Sequence, residues 1–382
     1  MRIYFKNLNG VRFIAAFLVI LQHTTEYKLF TNLNLPNIFE HHFAGLGGYG
    51  VTLFFVLSGY LIFYLLFAEQ EISHTIQIKN FYVRRILRIW PLYIGFGVIL
   101  ILGIDYILFK MLGTNLRTPR VENLIYLTAF SINLQMLFAI PNKGIIELFW
   151  SVCIEEQFYL FAPWMVKKGH KKMLILILAL IFLGIASKFF MHYLEVNQYH
   201  DFNQNNPLYY FTICRFDNFG LGALAAYIHF KPALFIKVEK YVTNKWLQVV
   251  VVFLTLVYIF NFFPKVYVIE KYFFSTLPSV LFAYIILAAS TGKFFVNLET
   301  PFLNLMGKYS YGIYVFHAVV SEIILYGFLK ANVQRSILIY DFFYPLTCLI
   351  FTCIIAGLSY ELYEKKFLKL KNRFALIKGQ PV

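Results

Sequence analysis

Residues 8–26, LNGVRFIAAFLVILQHTTE, form the first of ten apolar stretches of membrane-crossing length. The others run at about 47–67, 89–110, 148–166, 173–193, 208–230, 246–264, 272–291, 309–330 and 338–360. About 20 consecutive apolar residues carry a helix across the hydrocarbon core of a bilayer. Inside that core every backbone N–H and C=O must find its partner within the chain, so such stretches fold as packed helices. The composition agrees, with 60% hydrophobic residues, 14% charged residues and a mean hydropathy of +0.66. A soluble fold this apolar would expose wide greasy patches, so the expected class is an all-α polytopic membrane protein. The first stretch does not read as a cleaved signal peptide: it is too long, Arg12 interrupts it, and no small-residue cleavage site follows.

The net charge of +15 reports topology rather than a nucleic-acid partner. With the N-terminus inside, 22 of the 34 Lys and Arg residues fall on the inner side, 9 on the outer side, and Arg12, Lys188 and Arg215 within spans. That is the positive-inside bias, and it puts both termini in the cytoplasm. Reading Glu122–Ala139 as an eleventh span would reverse the bias to 11 inside and 20 outside. The segment near 122–139 is therefore expected to be an outer-face re-entrant or interfacial helix, tolerable where it is buried against protein. The division is a transmembrane domain over 1–367 and a basic cytoplasmic tail over 368–382. The four cysteines lie within predicted spans without CxxC or Cys/His spacing, so they read as small apolar residues and no metal site is expected.

Polar side chains inside such helices are costly and point to function. Arg12 and His23 are eleven residues apart, three helical turns plus about 20°, so they share one face about 16 Å apart along the axis. Facing lipid, the arginine alone would cost about 2.5–3.5 kcal/mol. Gly47, Gly48, Gly50 and the Ser58-Gly59 pair suit tight helix packing, or leave room for a substrate beside His23. Arg84, Arg85 and Arg88 group on about one turn; such clusters set topology or meet lipid headgroups, and they also suit a polyphosphate ligand. Ser151 and Glu155 share a face with Glu156 beside them, two carboxyls in an apolar stretch. Lys188 is expected to snorkel to the interface, while Arg215 and Asp217 supply charge near the outer surface. Ser310, Tyr314 and His317 step along one helix with Tyr311 adjacent, and Glu364 lies just past the last stretch.

Depth counted from the span ends sorts these residues into two layers. The outer half holds His23, Glu26, Ser151, Glu155, Glu156, Arg215 and Asp217. The inner half holds Arg12, Ser310, Tyr311, Glu364 and the arginine cluster, with Ser58 and His317 between. The pattern suits an anionic donor at the inner face, an acceptor in the outer half, and acid–base chemistry at a histidine whose tautomer a nearby carboxylate can fix. No G-x-S-x-G, Walker A or HExxH pattern is present.

In order along the chain, these motifs resemble the integral-membrane acyltransferase family 3, which includes bacterial O-acetyltransferases of surface carbohydrates. LNGVRFIAAFLVILQH is similar to the family's Arg-x10-His opening, here Arg12 and His23, and VTLFFVLSGYLI to its second-span motif. RRILR matches its Arg-x-x-Arg element, and FWSVCIEEQFYL its Trp-Ser-x-x-x-Glu-Glu-Gln-Phe-Tyr stretch. RFDNFGLGALAA, YSYGIYVFH and YEKKF extend the match over residues 8–367. The resemblance implies ten spans in a bacterial inner membrane, acyl-CoA as co-substrate with no permanently bound cofactor, and an acceptor hydroxyl on a carbohydrate or glycolipid. His23 is implied as the residue central to transfer, directly or through an acyl-enzyme step, with Arg12 supporting the donor path. Arg85 and Arg88 are implied for the coenzyme A phosphates, and Glu155 or Glu156 for positioning the histidine or the acceptor. Two departures stand out: Asn9 where the family usually has Asp, and Lys366 where it usually has Pro. The esterase-like domain fused to some members is not expected, so the transmembrane unit either transfers directly or hands over to a separate protein.

Two other readings compete. A secondary transporter of an anionic solute or glycan also needs a polar path, but the internal repeat many transporters carry is absent. A polyprenyl-linked glycosyltransferase lacks a large outer domain and an acidic sugar-nucleotide motif.

Overall fold

The computed structural model describes residues 3–31, 34–104, 107, 122–138, 144–169, 172–197, 206–262, 273 and 275–377. Every regular element among them is helical. The main helices are α1 (Leu8–Phe30), α2 (Leu46–Ser73), α3 (Ile78–Ile99), α4 (Trp150–Gly169), α5 (Met173–Asn197), α6 (Phe216–Phe230), α7 (Pro232–Val242), α8 (Lys245–Ile259), α9 (Thr276–Ser290), α10 (Pro301–Lys330), α11 (Tyr344–Ser359) and α12 (Lys365–Lys371).

Among the described residues a helix lies within each of the ten apolar stretches, yet fewer than ten of these helices have the length and apolarity of a span. Five helical segments among the described residues are long and apolar enough to cross a membrane: Glu40–Ser73, Ile78–Ile104, Met173–Glu195, Pro301–Lys330 and Leu338–Phe374. A sixth is added if Thr212–Phe230 and Pro232–Val242, bent by 106°, make one span. The shortfall has physical causes. Helices α8 and α9 have 15 residues each, a rise of about 22 Å. Helices α1 and α4 carry Gln22, His23, Glu155, Glu156 and Gln157 among their side chains.

The segment near 122–139 is two short helices, Asn123–Thr128 and Ile132–Phe138, instead of one. Phe130 between them takes a positive φ of 51°, and neither piece is long enough to cross a bilayer. Helix α10 starts at Pro301, eight residues before the predicted span. Thr300 caps it by accepting from the Leu303 N–H at 3.2 Å, and proline suits the first helical turn. Likewise α3 begins at Ile78, so the three arginines sit on its first turns and not in a loop.

Helix α1 lies between α2 and α10, and α2 in turn packs on α6, α9 and α4. The α2–α6 crossing depends on missing side chains: a Cβ on Gly59 would meet the Phe219 carbonyl oxygen at 2.2 Å, and one on Gly222 the Val56 oxygen at 2.0 Å. Of the two readings of Ser58-Gly59, tight packing is the one seen at the glycine. The glycines of the first turns of α2 are filled as well, Gly47 by Gln22, Gly48 by Tyr209 and Gly50 by the Ala15 backbone. The four cysteines are free thiols.

Lys188 does not snorkel. It is fully buried and donates to Asp217 at 2.6 Å, Ser275 at 2.9 Å and Thr276 at 2.9 Å. Thr276 also donates to Asp217. A lysine inside a helix bundle cannot reach the interface, so a carboxylate and two hydroxyls replace its water.

Candidate active site

The polar residues converge on a cavity of about 280 Å³ between α1, α2, α3, α4 and α10. Arg12 enters from α1, Ser58 from α2, Arg84, Arg85 and Arg88 from α3, Ser151, Glu155 and Tyr159 from α4, and Ser310, Tyr311 and Tyr314 from α10. Glu364, Lys371 and Lys308 complete its charged lining, so six cations face two carboxylates. Such an excess favours an anionic occupant.

Each wall is held by a specific contact. Arg12 donates to Asn9 Oδ1 at 2.7 Å, an amide at the position where the resemblance expects a carboxylate. Arg85 stacks between Phe81 and Tyr159, its guanidinium carbon 5.6 and 5.5 Å from their ring centres. Arg88 makes no hydrogen bond among the described residues, which leaves its fork of donors available. Arg84 is committed, donating to Glu69 Oε2 at 2.9 Å and to the Phe374 carbonyl at 2.8 Å. Tyr311 donates to the Ile89 carbonyl at 3.0 Å, tying α10 to the arginine helix. Ser310 donates to the Gly307 carbonyl at 2.9 Å, and Ser359 to Glu364 at 3.1 Å.

Glu155 shares this cavity with the arginines and accepts a hydrogen bond from Ser58 Oγ at 2.6 Å. Depth along the sequence places it in the other half, beside His23, if α4 starts at the membrane surface. Instead the preceding 3-10 turn, Ile145–Phe149, already buries Ile145, Ile146 and Phe149, so α4 begins inside the bundle. Glu156 points elsewhere, accepting from Trp90 Nε1 at 2.9 Å. Arg215 is also apart from the cavity. It stacks on Tyr209, 4.4 Å from the ring centre, and on Trp150 at 5.6 Å, and donates to the Tyr209 carbonyl at 3.0 Å.

Tyr314 closes the cavity toward α1's far end. Its hydroxyl donates to the Leu148 carbonyl at 2.7 Å, so the 2.6 Å contact with Ser151 runs from the serine to the tyrosine oxygen. One turn on, His317 is fully buried, its ring centre 5.7 Å from Tyr314 and 4.9 Å from His23. His23 and His317 thus lie outside the cavity lining but continue it, through Tyr314, as an unbroken line of rings.

Both histidines have one nitrogen committed to a carbonyl. His23 Nδ1 is 2.8 Å from the Val19 oxygen, and His317 Nδ1 is 2.6 Å from the Tyr314 oxygen. A carbonyl only accepts, so in each neutral ring Nδ1 carries the hydrogen and Nε2 the lone pair. No carboxylate fixes the tautomer of His23: its own helix does so, four residues back. His317 Nε2 is buried without a hydrogen-bond partner among the described residues. Among the described residues no group of three or more His, Cys, Asp or Glu side chains is disposed to hold a metal ion.

The sequence reading missed Lys371, Lys308 and Tyr159 on this cavity. Tyr159 lies one turn beyond Glu155, a spacing that could have marked it. Lys371 sits in a tail whose charge alone reads as topology.

This is a membrane-embedded bundle with a cationic cavity joined to a histidine pair. The family model described as an acyltransferase domain, acyltransferase family 3, matches residues 5–361, and the chain belongs to that family. A Staphylococcus aureus (strain COL) protein named "Putative O-acetyltransferase" is 28% identical over 394 residues, covering 96% of this chain and 58% of its own length. The Listeria monocytogenes protein named "Peptidoglycan O-acetyltransferase OatA" is 30% identical over 204 residues, covering 51% of this chain and 30% of that protein. A Haemophilus influenzae protein of uncharacterised function is 28% identical over 187 residues, covering 47% of this chain and 74% of its own. The chain thus spans little more than half the length of the staphylococcal relatives. No solved structure matches.

Proposed function

We propose that this protein is an O-acyltransferase that moves a short acyl group, acetyl by family analogy, from acyl-CoA to a hydroxyl of a cell-envelope carbohydrate or glycolipid. The observation that carries the reading is the continuity between the arginine-lined cavity and His23 through Tyr314 and His317. The cavity is near the lower end of pocket sizes for drug-sized ligands. It suits the acyl-pantetheine end of the donor, with the phosphates among Arg85, Arg88 and Arg12.

In this mechanism His23 Nε2 takes the proton of the acceptor hydroxyl as its oxygen attacks the thioester carbonyl. The C–S bond then breaks, the acyl group stays on the acceptor oxygen, and the imidazolium returns its proton to the departing thiolate. Glu155, held by Ser58, offsets the arginine charge beside the thioester. Correct placement of a general base of this kind contributes about 10²–10⁴-fold in rate.

The accompanying topology is ten spans in a bacterial inner membrane, with both termini and the arginine turn cytoplasmic and His23 toward the outside. Reporter fusions at Thr243 and Asn332 test it: the first is expected inside and the second outside. A transporter is the lesser reading, because nothing in the family match favours it. The test of activity is incubation of membranes carrying the protein with acetyl-CoA labelled in the acetyl group. Label is expected in the carbohydrate fraction and absent from membranes lacking the protein. Solute flux without any labelled product would favour transport.

A further inference from the structure

We infer that Lys371 is a phosphate-binding residue of the donor cavity, and that the C-terminal segment 365–377 forms one of the cavity's walls. The inference rests on the acyl-CoA reading above and extends it to a part of the chain beyond the family match, which stops at residue 361.

The wall is visible in the lining. Leu368, Lys371, Asn372, Ala375 and Ile377 all face the cavity that holds Arg12 and the arginines of α3. It is pinned by Arg84, whose 2.8 Å bond to the Phe374 carbonyl joins the first turns of α3 to this C-terminal segment. Because Arg84 also binds Glu69, its charge is largely answered by protein. That of Lys371 is not: the charged groups acting on it most strongly are Arg88, Arg85, Arg12 and Arg84, all of its own sign.

The other lysines of α12 behave differently. Lys365 pairs with Glu361 at 2.5 Å, while Lys366 and Lys369 are exposed. Those three suit a solvated, inner-side basic tail. Lys371 alone turns inward, half-buried, toward four guanidiniums. Like charges gathered in a partly dry space repel strongly unless an anion sits among them. A diphosphate or phosphomonoester is the matching ligand, since each arginine can bind two of its oxygens while a lysine serves as a point charge. An anionic lipid headgroup presents the same chemistry, so the experiment separates the two sources.

The experiment measures binding of coenzyme A and of pantetheine, which lacks the phosphates, to the purified full-length protein in detergent. No acceptor is needed. Wild type should bind coenzyme A far more tightly than pantetheine. Lys371→Gln should raise the Kd for coenzyme A about tenfold, the scale of one lost charge-assisted hydrogen bond, with the pantetheine Kd unchanged. Lys371→Arg should keep most of the affinity, and Lys369→Gln all of it.

A wild type that prefers coenzyme A, with Lys371→Gln binding it equally well, overturns this inference and leaves the acyl-CoA reading standing. Equal weakening of both ligands makes Lys371 a packing residue and also overturns it. Loss of co-purified phosphatidylglycerol from Lys371→Gln with unaltered coenzyme A binding assigns the cation to lipid, with the same consequence. A wild type that binds coenzyme A no better than pantetheine defeats the acyl-CoA reading itself.

Discussion

The rings of His23 and His317 meet edge to face at 4.9 Å, although 294 positions separate them along the chain. Each imidazole gives its Nδ1–H to a carbonyl on its own helix, which leaves Nε2 as the remaining acceptor of each neutral ring. A buried acceptor nitrogen such as His317 Nε2 calls for a proton donor. A hydroxyl group awaiting acylation is such a donor, and the imidazolium formed at His23 after proton transfer is another. In the proposed mechanism His317 is a positioning residue for His23, whose ring it contacts.

His317→Ala should therefore lower kcat by about tenfold or more, within the range for general-base positioning, while the KM for acetyl-CoA stays close to wild type. His317→Asn, which keeps a group able to reach the Tyr314 carbonyl, should recover part of the loss. Steady-state kinetics in membranes containing the native acceptor separate the two constants. A raised KM with normal kcat would place His317 in donor binding instead.

Replacing Arg85 and Arg88 together by Gln should raise the KM for acetyl-CoA at least about tenfold, since charge-assisted hydrogen bonds to phosphate are lost. The KM for the acceptor should change much less. Equal effects on both substrates, or simple loss of protein from the membrane, would return the cluster to a topology role.

The ion pair of Lys188 and Asp217 is structural, since neither side chain lines the cavity. Asp217→Asn should destabilise the protein by about 3–5 kcal/mol, because it leaves a buried ammonium without its counter-charge. Lys188→Met combined with Asp217→Leu should restore most of that loss. Thermal unfolding in detergent reads both.

The backbone contact between α2 and α6 makes a sharper prediction. Gly222→Val places atoms where the Val56 oxygen already sits, 2.0 Å from the new Cβ. Overpacking of this severity exceeds the usual cost of about 1–3 kcal/mol, so little folded protein should reach the membrane. Size-exclusion profiles of detergent extracts report it directly.

How much of this was legible in the sequence depends on the kind of contact. The helices were readable because apolar runs and their lengths are local properties. Arg12, Ser58, Arg85, Arg88, Ser151, Glu155, Ser310, Tyr311, Tyr314 and Glu364 were singled out as residues, and the fold gathers all ten on one cavity. Their grouping was less legible. Glu155 joins the arginines and not the histidine, because the depth of a residue depends on where its helix begins, and a buried 3-10 turn shifted α4 inward. The partner of Lys188 was out of reach for a related reason: an ion pair between α5 and α6 is set by the helix crossing, not by spacing along either helix. Lys371 was hidden among the four lysines of α12, of which Lys366 and Lys369 are exposed and carry the ordinary meaning of such charge.

In the proposed mechanism His23 accepts the proton of the acceptor hydroxyl at the end of the donor cavity. The most direct test of this step is transfer of labelled acetyl from acetyl-CoA to membrane carbohydrate by His23→Gln, compared with wild type at equal protein level in the membrane. The account predicts at least about a hundredfold fall in transfer, with coenzyme A binding unchanged. Transfer at the wild-type rate by His23→Gln would contradict it.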